Sequence, residues 1–269
     1  MAPNTRVILI YILLIFCVSC VIFYVQLSTN SRMETDSLFD EIYLMNLKRR
    51  PDRLKTFLKK YKESDLSKYP LVKYDAVDGS ELDINKVPLS ELAKAELTQL
   101  ETTGFRTKHY QLTKGAIGCY LSHLKIWENI LKNGYSSALI FEDDADIPSD
   151  LLFKMNHGMK YIPNDWDIVL FGYLCSQCNQ HENYNKVERF MLTHCMLIKS
   201  SAIRKIMDTD VLLPITQQID SLLSELSSII NIYTVKDKIV RQFSSRTDIQ
   251  APLKNKNSPA VNDRVRVLK

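Results

Sequence analysis

Four carboxylates occupy the five positions Glu142, Asp143, Asp144, Ala145 and Asp146, directly after the apolar run Ala138–Phe141. Carboxylates this close repel one another, so they need water or a cation between them. Alternate residues of an extended segment point the same way, so Glu142 with Asp144, or Asp144 with Asp146, can present oxygens jointly. Such hard donors suit Mg2+ or Mn2+ carried with a diphosphate. In a transferase that cation stabilises the diphosphate as it leaves. A solvated acidic loop and a glycosidase carboxylate pair are the alternatives. Adjacent carboxylates cannot straddle a sugar ring, which counts against the glycosidase. The apolar approach and the turn at Pro148 put the cluster at a strand end, which counts against the loop.

The elements that position the cluster follow from periodicity. Glu41–Leu47 alternates as a strand, and the helix in RPDRLKTFLKKY follows, with Pro51 in its first turn. Leu71–Tyr74 reads as a strand ending near the Asp78-Gly79 turn, and PLSELAKAELTQLE has helical spacing. In LTKGAIGCYLSHLKIWENILKNG, Ile117, Leu121, Leu124 and Leu131 share a helical face. Thr113 can cap its start and Gly134 its end. SALIF, Asp167–Tyr173, CMLIK and IYTVKDKIV read as further strands; SSAIRKIM and DSLLSELSSI read as helices. Strands alternating with helices predict an α/β domain with a mainly parallel sheet, whose ligands bind beyond the carboxyl ends of the strands. The acidic cluster stands at one such end.

Of the 269 residues 45% are hydrophobic and 25% charged, which is globular composition, and the net charge of +4 gives no case for nucleic acid. The N-terminus differs. Val7–Val25 runs 19 residues without a charge. At about 1.5 Å per residue it nearly crosses a hydrocarbon core of roughly 30 Å. It is longer than a cleaved signal peptide's apolar core and lacks a small-residue cleavage site. The expectation is a tail and transmembrane signal anchor over 1–27, a stem over 28–40, a catalytic body over 41–250 and a flexible basic tail over 251–269. This is the layout of a single-pass type II membrane protein, Golgi or endoplasmic reticulum in a eukaryote and inner membrane in a bacterium. Cys175 and Cys178 form a lone CxxC, which admits a short disulfide, ordinary thiols, a redox pair or half a zinc site.

IYLMNLKRRPDRLKTF, YDAVDG, LTKGAIGCYLSHLKIWENIL and ALIFEDDADI, in this order, resemble glycosyltransferase family 25, which includes lipopolysaccharide and procollagen galactosyltransferases. THCMLIKSSAIRKI, PITQQIDSLL and VRQFSSRTDIQ are similar more loosely, so the resemblance spans about Glu41–Gln250. It implies a GT-A-like Rossmann-type fold, a UDP-sugar donor, a hydroxyl acceptor on a glycan, glycolipid or protein, Mn2+ or Mg2+, and inversion at the anomeric carbon.

Carried over by residue, the resemblance places metal and diphosphate at Glu142, Asp143 and Asp144, with Asp146 outside the pattern. Asn46, Arg49 and Arg53 lie near the nucleotide, where arginine forks suit phosphate, and Arg50 reads as solvated. Asp75 and Asp78 are partners for ribose or base. Gly115 and Gly118 admit close backbone approach by the donor at a helix start. Ser122 and His123 point away from the apolar stripe and take site roles, His123 a catalytic one. Asp220 is the general base that an inverting displacement needs; a helix N-cap is its structural alternative. The family commonly has an acidic residue where this chain has Ala116. That departure leaves a second reading open, a weakened relative acting in binding or adhesion.

Overall fold

β1 (Glu41–Asn46) and β3 (Ser137–Glu142) are apolar on both faces. Tyr43, Met45, Ala138 and Ile140 enter one buried cluster, while the alternate residues Ile42, Leu44, Leu139 and Phe141 are buried on the opposite face. Strands apolar on both sides belong inside a sheet covered by helices above and below. The computed structural model, which describes residues 37–243 and 247–252, has this arrangement. The chain order is β1, α1 (Pro51–Glu63), β2 (Val72–Asp75), α2 (Glu91–Thr103), α3 (Lys114–Lys132), β3, β4 (Ala145–Asp146) and α4 (Leu151–Met159). There follow β5 (Ile168–Gln180), β6 (Tyr184–Lys199), α5 (Ser200–Met207), α6 (Ile219–Glu225), β7 (Ile232–Val235) and β8 (Arg241–Gln242).

The central sheet has the order β2-β1-β3-β6-β5-β7. β1 runs parallel to β2 and β3, and β5 parallel to β7. β6 runs antiparallel to both β3 and β5, so the sheet is mostly parallel with a reversed strand in its middle. The alternation of elements did not predict that reversal. A three-residue link, His181–Asn183, joins β5 to β6 and is too short for a crossover, so β6 must return antiparallel. The hairpin extends well past the expected end at Tyr173, with the polar outer half of β5 exposed and Val187 and Phe190 of β6 buried. Cys175 and Cys178 form a disulfide there.

Phe57 of α1 packs on Phe141 at 5.3 Å between ring centroids, which covers one face of the sheet. α3 covers the other face, burying Ile117, Ile126, Trp127 and Ile130. Thr113 caps α3 by accepting from Ala116 N at 3.0 Å, and Gly134 follows its end at φ +71°. The expected stripe is displaced, since Leu121, Leu124 and Leu131 are only half-buried while Ser122 and His123 are buried. Wrapped by the sheet and by α5 and α6, α3 has little free surface.

Among the described residues no helix is long and apolar enough to cross a membrane. The run 7–25 read as a signal anchor, most of the stem and the tail beyond 252 lie outside the described residues.

Gly118 sits where α3 meets the Val77–Gly79 turn. A Cβ there would stand 2.5 Å from Val77 O and 2.8 Å from Gly79 N. Both are backbone atoms and cannot swing aside. Overpacking of this kind costs about 1–3 kcal/mol, and each kcal/mol lowers Tm by about 2–4 °C in a domain of this size. Gly118→Ala should therefore melt several degrees below wild type in differential scanning calorimetry; an unchanged Tm would show that the turn yields.

Candidate functional site

Register delivers the acidic residues to one edge. Asn46 pairs with Asp75 and Met45 with Glu142, so the carboxyl ends of β1, β2 and β3 lie side by side. Asp143 and Asp144 form the turn beyond β3. β4 then pairs with β8, and Phe243 N donates to Asp144 O at 2.8 Å, fixing the turn. Because β6 is reversed, its irregular segment Leu192–His194 arrives at the same edge, where Thr193 Oγ1 donates to Glu142 Oε1 at 2.6 Å.

The three carboxylates are not equivalent. Both oxygens of Asp143 are engaged, one accepting from Asn46 Nδ2 at 2.7 Å and the other from Arg53 Nη1 at 2.9 Å. Asp144 has weaker partners: Gln242 Nε2 at 3.3 Å from each oxygen and Arg53 Nη1 at 3.6 Å. Burial, then the charge of Glu142, push Asp144 up to about 7 against the attraction of Arg53. Burial also raises Asp143. Glu142 is held below the usual range: burial pushes it up, but His123 and the Thr193 hydroxyl outweigh it.

Of these three carboxylates, Asp143 and Asp144 share the Arg53 guanidinium, while Glu142 faces Thr193 and His123. Asp143 is committed to Asn46 and Arg53, whereas Asp144 has only long contacts with Gln242 and Arg53. Hydrogen bonding thus distinguishes three residues that the sequence ranks together.

The raised pKa has a consequence for the metal-free chain. The folded state holds a proton on Asp144 up to about pH 7, where the unfolded chain releases it near 3.8. Between these values the folded state binds more protons, so stability falls as pH rises. Urea midpoints measured in EDTA should decline from pH 4 to pH 7, and Asp144→Asn should flatten the decline; an unaltered slope in the variant would exclude Asp144 as its source.

Two adjoining clefts share Arg53, Cys119, Glu142, Asp144, Thr247 and Ile249 as their common wall. The first is lined by Arg49, Val77, Gly79, Gly115 and Ser122, the second by Ala116, Leu192, Thr193, Gln218, Asp220 and Gln242. Asp220 lies inside the first turn of α6, and Gln218, not Asp220, is the N-cap residue. The Asp220 carboxylate accepts from Leu192 N at 3.1 Å and Ser221 N at 2.8 Å. Leu192 has φ +74°, a left-handed conformation that costs a non-glycine residue of order 1–3 kcal/mol. Asp220 thus holds a strained bulge at the cleft while burial raises its own pKa.

The arginines of the β1–α1 segment form one network with acidic partners. Arg49 pairs with Asp78 and Asp248, Arg50 with Asp52 and Asp248, and Arg53 with Asp143 and Asp248. Arg50, expected to be solvated, is largely buried in it. Asp248 belongs to a strap, Thr247–Pro252, tied down by Thr113 and by Arg106, which donates to Ala251 O at 2.6 Å.

Other expectations are redirected. Gly115 and Gly118 press against protein backbone, although Gly115 also lines the first cleft. A Cβ on Gly115 would meet Asp248 O at 2.3 Å, and Gly118 packs on the 77–79 turn. Ser122 Oγ accepts from Val77 N at 2.8 Å, so it braces that turn while lining the first cleft. Asp75 is half-exposed, pairs with Lys48 and Lys73, and lines neither cleft. His123, the second catalytic candidate, has no exposure and stands behind Glu142, its Nε2 3.9 Å from Oε1. A group so enclosed does not reach a substrate. Asp146 pairs with Lys60, away from the clefts, as its lower rank implied.

Sequence reading missed Asp248, Thr193, Leu192 and Gln242. Their approach depends on contacts across 51 positions for Thr193 and Glu142 and 98 for Gln242 and Asp144, and no local pattern carries such contacts.

The model of the family described as glycosyltransferase family 25 (LPS biosynthesis protein) matches residues 39–249. The chain belongs to glycosyltransferase family 25. The human protein named inactive glycosyltransferase 25 family member 3 is 33% identical over 139 residues, 50% of this chain and 22% of that protein. Human procollagen galactosyltransferase 2 is 31% identical over 149 residues, 54% of this chain and 22% of that protein. The chain thus spans about a fifth of the length of these family 25 relatives. Among solved structures, the crystal structure of A197 from STIV matches with TM-score 0.41 and 10% identity over 81% of this chain and 95% of that one, a likeness too slight to carry an argument.

Proposed function

We propose that this chain is a membrane-anchored, inverting glycosyltransferase of GT-A type that moves a hexose, galactose before others, from a UDP-sugar to a hydroxyl of a glycan, glycolipid or protein. The observation that carries this reading is Glu142 and Asp144, set at a strand end between two adjoining clefts and short of positive charge. Galactose comes from the relatives named procollagen galactosyltransferase. The apolar run Val7–Val25 is the proposed anchor.

In this reading the first cleft takes the nucleotide and the second the acceptor. When bound, Mn2+ or Mg2+ offsets charge on the departing diphosphate. Glu142 and Asp144 hold that cation, while Asn46 and Arg53 hold Asp143 and with it the turn. Arg49, kept in place by Asp78, adds positive charge at the nucleotide end. Asp220, kept basic by burial, takes the acceptor hydroxyl's proton as the oxygen bonds to the anomeric carbon and the sugar–diphosphate bond breaks.

Ala116 supports a second reading, a binding protein of reduced catalytic power. It belongs to the buried core but also lines the second cleft, so loss of an acidic residue there alters the cleft wall, and one similar relative is named inactive. The full chain, purified in detergent and supplied with Mn2+ and a panel of UDP-sugars, separates the two. Metal-dependent hydrolysis of one donor supports the transferase. UDP binding without turnover on any donor or acceptor supports the binding protein, and no metal-dependent UDP binding overturns both.

A further inference from the structure

We infer that Cys119, His123 and Glu142 form a site for a thiophilic divalent cation, Zn2+ by its chemistry, adjoining the oxygen site at Asp144 and sharing Glu142 with it. Their ligand atoms all lie within 4.8 Å of one another. Cys119 and His123 are one turn apart on α3, and Glu142 ends β3, so two rigid elements supply the set.

His123 is the independent observation. It has no solvent exposure, yet neither ring nitrogen has a hydrogen-bond partner among the described residues, and Nε2 is directed at Glu142 Oε1 from 3.9 Å. Buried polar atoms are ordinarily satisfied, and a pair left open beside a thiol and a carboxylate calls for a ligand. A tetrahedral zinc site with bonds of about 2.0–2.3 Å places its ligand atoms about 3.3–3.8 Å apart. The present spacing reaches that by closing roughly 1 Å, within the freedom of the Cys119 and Glu142 side chains.

Charge and softness agree. A thiolate and a carboxylate neutralise a dication, and a neutral imidazole completes the set at no further cost in buried charge. Thiolate and imidazole select zinc or cobalt over Mn2+ and Mg2+, which prefer oxygen. The Thr193 hydroxyl on Glu142 is the kind of outer partner that aims a metal-bound carboxylate. Cys119 and Glu142 line both clefts, so the cation has a route in and a fourth position facing solvent.

This inference does not rest on the transferase reading. The test is cobalt titration of the full chain, stripped with chelator, followed by absorption spectroscopy. The expected result is one Co2+ per chain with a near-ultraviolet thiolate-to-cobalt band, displaced by one equivalent of Zn2+ and absent in Cys119→Ser. His123→Ala should weaken Co2+ binding by at least the roughly 10–100-fold that loss of an outer partner costs. In unmutated protein, Zn2+ should protect Cys119 from alkylation, read by peptide mass spectrometry, which needs no variant to fold. Absence of the band, its survival in Cys119→Ser, unchanged affinity in His123→Ala or unprotected Cys119 would overturn the site. Asp144→Asn separates the two metals: it should keep the cobalt band while losing Mn2+-dependent UDP binding.

Discussion

Asp144→Asn should abolish Mn2+-dependent UDP-sugar binding and reduce donor hydrolysis by roughly 10²–10³-fold, the effect of removing one electrostatic stabiliser from a transfer site. Asparagine keeps the shape and can still face Gln242 and Arg53, so the β4–β8 pairing that fixes the turn stays intact. Asp143→Asn is the informative contrast. Its carboxylate binds Asn46 and Arg53, so the substitution weakens a buried charge-assisted hydrogen bond and should appear first as lowered Tm. Isothermal titration of UDP with and without Mn2+, beside thermal melts of both variants, distinguishes the roles. Equal loss of metal-dependent binding in two variants of unchanged Tm would mean that the acidic turn acts as a unit.

The second large effect is expected at Asp220. Asp220→Asn should lower kcat for transfer by about 10²–10⁴-fold, the range of a positioned general base, while leaving donor KM close to wild type. The amide oxygen still accepts one of the two backbone N–H groups that the carboxylate serves, at Leu192 and Ser221. The other N–H loses its acceptor, so Tm should fall in either case; a merely structural Asp220 would instead show a parallel loss of donor binding and transfer. Transfer within a few-fold of wild type would remove Asp220 from the chemistry.

Legibility differed by residue. β3 was readable from its continuous apolar run; β1 was read from alternation, which the structure replaces with burial on both faces. α3 was readable from its spacing and from the Thr113 cap, which forms as expected. The acidic turn was readable because its four carboxylates directly follow an apolar run and precede the turn at Pro148, which puts them at a strand end. The length of the β5–β6 hairpin was not, because its outer half has the polarity of a loop and earns its order from cross-strand bonds.

The sequence by itself determined the α/β class, the position of the acidic turn at a strand end and, through four ordered motifs, the family. These are encoded locally: periodicity sets elements, and short motifs keep their spacing along the chain. Tertiary structure alone decided the division of labour. It assigned Asp143 to Asn46 and Arg53 and left Asp144 as the raised, available carboxylate. It put His123 behind Glu142, pressed Gly115 and Gly118 against backbone, and brought Asp248 across 198 positions to Arg50. Which carboxylate is free depends on which neighbours reach it, and those neighbours come from strands and loops that only the folded sheet sets side by side.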